Sequence, residues 1–144
     1  MGFQNPTREQ IKEILERSTT VAVVGLSDNP ERVSYMVSEA MQAKGYTIIP
    51  VNPNADTILG QKSYASLHDI PVPVDIVNVF RRSEHTPPVA EEAAAIGAKT
   101  LWLQLGIANE EAAEIASSAG LEVIMDRCIK VEDSILLSGG KSKK

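Results

Sequence analysis

The residues suited to chemistry lie in short polar stretches that follow apolar runs. In "VAVVGLSDNPERVSY", Gly25 ends a run of small and β-branched residues, and Ser27, Asn29, Arg32 and Ser34 follow it. A glycine permits a tight turn. Hydroxyl and amide groups supply hydrogen bonds, and the N–H groups that open a helix attract anions, so this composition suits phosphate. Arg32 adds a planar donor fork matched to phosphate oxygens. The plainer reading is a capped strand-to-helix turn, with Asn29 as the N-cap and Pro30 at the first helical position. A second stretch, "FRRSEH", places Phe80, Arg81 and Arg82 after another apolar run. Paired arginines are commonly a solvated surface. At the end of a strand facing a phosphate loop, they are read here as facing a polyphosphate. Cys128 follows Asp126 and Arg127. A neighbouring arginine and a helix start would favour a thiolate able to exchange with another thiol, whereas a small buried hydrophobe is the simpler role. His68 and His85 have no nucleophile partner visible in sequence and read as surface groups, and Glu91 and Glu92 as a solvated helix face.

These loops need elements to hold them. "TTVAVVG", "YTIIPVNP", "VDIVNVF", "TLWLQLG" and "LEVIMD" read as five strands, the first as a run buried on both faces. Helices are predicted over 7–17, 32–44, 86–96, from about 110, and over 129–137. The second turns Val33, Val37, Ala40 and Met41 inward and ends at Gly45. Asn109 caps the fourth, with Glu110 and Glu111 near its positive end. Trp102 is expected in the core. Residues 54–72 are expected to be loop-rich, with at most a short helix over 66–69. The alternation predicts an α/β fold: a Rossmann-like, doubly wound, mostly parallel five-stranded sheet with helices on both faces, as one domain over 1–137. The tail from residue 138, "SGGKSKK", is expected to be disordered.

In such a sheet the ligand site lies beyond the carboxyl ends of the strands. The second strand's end there is Val51, Asn52 and Pro53. A dinucleotide site of the NAD type would carry an acid near this point to hold the ribose, and a second and third glycine in the first loop. Both features are missing, and no cation sits on this loop to suit NADP. Asn52 is expected to bond a ribose or base edge, and Gln104 and Gly106 to line the cleft.

Bulk properties exclude other classes. The 144 residues carry a net charge of -5, which argues against a nucleic-acid partner. No apolar run approaches the ~20 residues of a membrane span, and the N-terminal stretch lacks a secretory core. One cysteine cannot form an internal disulfide, which fits a cytoplasmic setting. One cysteine and two distant histidines give no metal-site spacing. No Gly-x-Ser-x-Gly elbow or P-loop lysine motif occurs.

Taken in order, "VAVVGLSDNPERVSY", "GYTIIPVNPNADTILGQKSYASLHDIP", "VDIVNVFRRSEH", "WLQLGI" and "AGLEVIMDRC" resemble the small stand-alone CoA-binding domain proteins, which are similar to the N-terminal domain of the succinyl-CoA synthetase α subunit. The resemblance covers roughly residues 11–132. It implies a domain that holds coenzyme A or an acyl-CoA through its 3′-phospho-ADP portion. It sets Gly25, Ser27, Asn29, Arg32 and Ser34 toward the phosphates and Val51, Asn52 and Pro53 beside the adenosine. Phe80, Arg81 and Arg82 border the nucleotide, and Gln104, Gly106 and Ile107 close the cleft. The synthetases' active-site histidine belongs to a ligase domain that would begin where this chain ends, so their reaction is not expected here. The expectation is a binding protein without catalysis of its own. The alternatives are an NAD(P)-linked oxidoreductase on the same fold and a thiol-redox protein forming a mixed disulfide between Cys128 and CoA.

Overall fold

A computed structural model describes residues 3–137, so the expected disordered tail lies outside the described residues. The chain runs α1 (Arg8–Arg17), β1 (Thr20–Val24), α2 (Val33–Ala43), β2 (Thr47–Val51), β3 (Thr57–Ile58), β4 (Gln61–Lys62), β5 (Ile76–Val79), α3 (Thr86–Ala95), β6 (Thr100–Leu103), α4 (Glu110–Ser118), β7 (Glu122–Ile124) and α5 (Ile129–Leu136). Five strands form one parallel sheet in the order β2-β1-β5-β6-β7. This is the α/β architecture the alternating pattern predicts.

The uninterrupted apolar character of β1 follows from its central position. Val21 and Val23 pack with Trp102, Ile124 and the inner faces of α1, α2 and α5. Ala22 and Val24 point the other way, into a core shared with Leu101, Leu103 and the alanines of α3 and α4. Period-two geometry thus sends alternate residues of one apolar run into two separate cores. The small side chains Ala90, Ala93, Ala112, Ala113 and Ala116 let α3 and α4 lie close to each other and to the sheet. Trp102 is fully buried as expected, and its indole N–H donates to Arg127 O at 2.9 Å.

Two local expectations, the plain loop over 57–62 and the inward face of α2, are corrected. Residues 57–62 form a small antiparallel hairpin rather than plain loop. Its two-residue turn holds both Leu59 (φ 55°) and Gly60 (φ 74°) in the left-handed region. Such turns usually announce themselves by Asn-Gly or Asp-Gly, and leucine masked the signal. The short helix near 66–69 is a 3₁₀ turn over Leu67–Asp69. In α2, Val33 is not inward: it is 61% exposed, while Ser34 and Ser38 share the inner face with Val37 and Met41, and Ala40 is half-buried. Val37 and Met41 are inward as expected, and Ser34 and Ser38 occupy inner-face positions that hydrophobic periodicity assigns to apolar residues.

Candidate functional site

The strand order fixes where a ligand can enter. The connection leaving β1 turns to β2 on one side, and the connection leaving β5 turns to β6 on the other. The two loops part at the carboxyl ends of β1 and β5, which opens a crevice there.

Gly25 sits at that point with φ 87°, a conformation side chains resist. Its N–H donates to Val51 O at 3.1 Å, while Phe80 N–H donates to Val24 O at 2.9 Å. The exit of β1 is therefore stitched to the ends of β2 and β5. A Cβ on Gly25 would lie 2.5 Å from Phe80 O. Glycine is required both by dihedral angle and by the approach of the neighbouring backbone.

Beyond Gly25, Leu26 is fully buried and anchors the loop in the core. The polar residues then brace one another. Ser27 N–H donates to Ser34 Oγ at 3.0 Å, Asn29 N–H to Ser27 Oγ at 3.0 Å, and Glu31 N–H to Asn29 Oδ1 at 3.0 Å. This corrects the expected cap. Asn29 closes its own turn, reinforced by Arg32 N–H donating to Asn29 O at 3.0 Å, and Pro30 lies in that turn. The helix begins at Val33, with Arg32 in the N-cap position.

The N-terminus of α2 is left open in a way that those of α1 and α4 are not. Thr7 and Gln10 form a capping box on α1, and Asn109 Oδ1 accepts from Ala112 N–H on α4, as expected. Both helices also carry acids in their first turn. The N-cap of α2 makes no side-chain hydrogen bond, and its first turn holds no acid. Arginine cannot accept a hydrogen bond, so Arg32 leaves the positive helix end uncompensated. The same absence of cap and acid marks α3, which starts just after Arg81 and Arg82. Arg32, Arg81 and Arg82 are all exposed, as are Asp28 and Glu31 in the first loop.

Asp126 braces the far side. It holds φ 59°, which aspartate tolerates better than most residues, and its Oδ1 accepts from Gly106 N–H at 2.7 Å. Ser83 ties the β5 and β6 exits: its Oγ accepts from Ala108 N–H at 3.0 Å and its carbonyl from Asn109 Nδ2 at 3.0 Å. Neither residue was singled out from sequence as a brace. A lone serine or aspartate in a loop carries no signal of its tertiary partner.

A family model described as CoA binding domain matches residues 19–134, which include the crevice and every loop around it. The chain belongs to the CoA-binding domain family. The uncharacterized protein YneT of Bacillus subtilis is 56% identical over 133 residues, 92% of this chain and 98% of YneT. The ADP-forming acetate–CoA ligase II of Archaeoglobus fulgidus is 37% identical over 82 residues, 56% of this chain and 12% of the ligase. Among solved structures, a hypothetical protein from Pyrococcus horikoshii superposes with a TM-score of 0.89 at 38% identity, covering 95% of this chain and 99% of that one.

Against a CoA-binding domain, the remaining candidates divide by burial. Pro53 and Gly106 are exposed, and Gly25, Ser27 and Phe80 are half-buried around the crevice. Val51 is buried in the core, and its carbonyl is taken by Gly25. Ile107 packs its side chain against the α3/α4 core. Gln104 is 4% exposed, and its Oε1 accepts from Asn78 Nδ2 at 3.3 Å and Ile129 N–H at 3.4 Å. It joins β5, β6 and α5 from within, where the sequence suggested a residue lining the cleft. Cys128 is the half-buried N-cap of α5 and packs on the α1/α2/α5 core. His68 and His85 are exposed. Among the described residues, no cluster of three or more His, Cys, Asp or Glu side chains is placed to hold a metal, and no helix is long and apolar enough to cross a membrane.

The residues present fit CoA. A helix start with no side-chain cap and no acid in its first turn, and three exposed arginines on the loops that follow β1 and β5, are the chemistry that phosphates require. The end of β2 carries Val51, Asn52 and Pro53 rather than an acid that would repel them.

Proposed function

We propose that this protein binds coenzyme A or an acyl-CoA through its 3′-phospho-ADP portion, in the crevice beyond β1 and β5, without catalysis of its own. The observation that carries the reading is the open N-terminus of α2 at the strand-order switch, with no side-chain cap and no acid in its first turn, and with Arg32, Arg81 and Arg82 exposed on the loops that follow β1 and β5. Membership of the CoA-binding domain family supports the ligand class.

Each residue then has a physical role. Gly25 sets the turn that brings the loop to the crevice. Ser27 Oγ already accepts from Asn29 N–H, so its own proton remains to donate to a phosphate oxygen. Ser34 Oγ holds Ser27 in place from below. The N–H groups of α2's first turn face the pyrophosphate, and the arginines balance its charge and that of the 3′-phosphate. Pro53 and Phe80 frame the adenosine side, and Gly106 keeps the opposite rim low.

Isothermal titration with CoA, 3′-dephospho-CoA and NAD tests the reading. CoA should bind most tightly, and loss of the 3′-phosphate should weaken it by about tenfold or more, the worth of a charge-assisted hydrogen bond or two. Equal affinity for NAD and CoA would overturn it.

A further inference from the structure

The end of β2 carries a half-buried residue, Asn52, whose amide is bonded at both its nitrogen and its oxygen inside the protein. Asn52 Nδ2 donates to Leu26 O at 2.9 Å, and its Oδ1 accepts from Asn54 N–H at 2.8 Å. Its backbone is equally committed. The N–H donates to Tyr64 O at 2.9 Å, and the carbonyl accepts from Ser63 Oγ at 2.9 Å and Ala55 N–H at 3.4 Å. One residue thus joins the first loop, its own turn and the segment that covers the outer edge of β2. The acceptor on the first loop belongs to Leu26, whose side chain is fully buried, so the bond closes onto a fixed point of the core.

We propose that Asn52 is a positioning residue for the nucleotide site: it latches the first loop to β2 and so preforms the phosphate-facing turn, without touching the ligand itself. The proposal rests on the CoA reading for its functional consequence, though the latch is a property of the protein alone. The sequence suggested the opposite role, an amide offered to a ribose or base edge. Both halves of the amide are needed, since one atom must donate to a carbonyl while the other accepts from an N–H. A carboxylate has the same shape and accepts only. Aspartate here would set an unprotonated oxygen against Leu26 O and drive the loop away. Dinucleotide sites carry their ribose-binding acid near this point in the fold, so Asn52 marks a site whose β2 end serves loop architecture instead.

The test compares wild type, Asn52→Asp and Asn52→Ala by CoA titration and by amide hydrogen exchange of the ligand-free proteins. Asn52→Ala removes both bonds without adding charge and serves if the aspartate variant does not fold. The amides of Ser27, Asn29 and Glu31 should exchange at least tenfold faster in either variant, beyond any acceleration in β5. CoA affinity should fall about tenfold or more. Lost affinity with unchanged loop exchange would overturn the latch in favour of direct ligand contact, and unchanged affinity together with unchanged exchange would overturn it outright. If wild type itself fails to bind CoA, the CoA reading falls, and the exchange measurement still decides the latch.

Discussion

Replacing Gly25 with alanine tests the geometry of the crevice most directly. Two costs can be separated. The backbone at φ 87° disfavours a side chain by roughly 1–2 kcal/mol. The new methyl would also lie 2.5 Å from Phe80 O, where ordinary contact begins near 3.4 Å. The β1 and β5 exits would have to part by about 0.9 Å, and overpacking of this kind costs roughly 1–3 kcal/mol. The expected total of roughly 2–5 kcal/mol is a large share of a domain's usual stability. Gly106 supplies the control. It holds φ 86°, yet a Cβ there meets nothing within 4 Å, so Gly106→Ala bears only the backbone cost. Urea denaturation of both variants should show Gly25→Ala less stable by about 1–3 kcal/mol, or about 5- to 150-fold in the folding equilibrium. Titration with CoA should show weakened binding for Gly25→Ala even where it remains folded. Equal stability of the two variants, with wild-type CoA affinity in Gly25→Ala, would refute the argued close approach.

Other outcomes follow from the same structure. Arg81→Ala and Arg32→Ala should each weaken CoA binding by about tenfold, and the loss should shrink as salt screens the remaining charge. Tyr46→Phe should cost about 1–3 kcal/mol in denaturation at neutral pH, because the fully buried Asp133 loses the hydroxyl that donates to its Oδ2 at 2.5 Å. Burial, then the hydrogen bond and charge of Asp133, hold the Tyr46 phenol well above its ordinary range. Its contribution is therefore intact below about pH 10 and lost as pH rises beyond, once the unfolded chain ionises and the folded one does not. The wild-type protein should lose stability in that range more steeply than Tyr46→Phe, and parallel curves would count against the buried pair. Native mass spectrometry of the protein purified from cells should find CoA or an acyl-CoA bound, and co-purified NAD would favour the oxidoreductase alternative.

What the sequence determined by itself is the part of the protein set by local pattern. Continuous apolar runs marked the sheet strands, alternating with helical periodicity, and this alternation alone implies parallel pairing. Asn109 showed its cap because capping partners lie three residues away. Gly25 and the arginines stood out by type and position. The tertiary structure decided everything that depends on a distant partner. Gln104 turned inward because Asn78 and the start of α5 face it, and the sequence separates it from them by about 25 residues. Asn29 left the capping role once its own turn could use its side chain, and Leu59 hid a hairpin that a more familiar turn residue would have revealed. Asn52 shows in sequence only an amide able to bond, and the bond it makes to Leu26 O at 2.9 Å, across 26 residues of chain, is set by the fold. Residue type fixes what a side chain can bond. Only the fold decides whether that capacity is met inside the protein or left for a ligand.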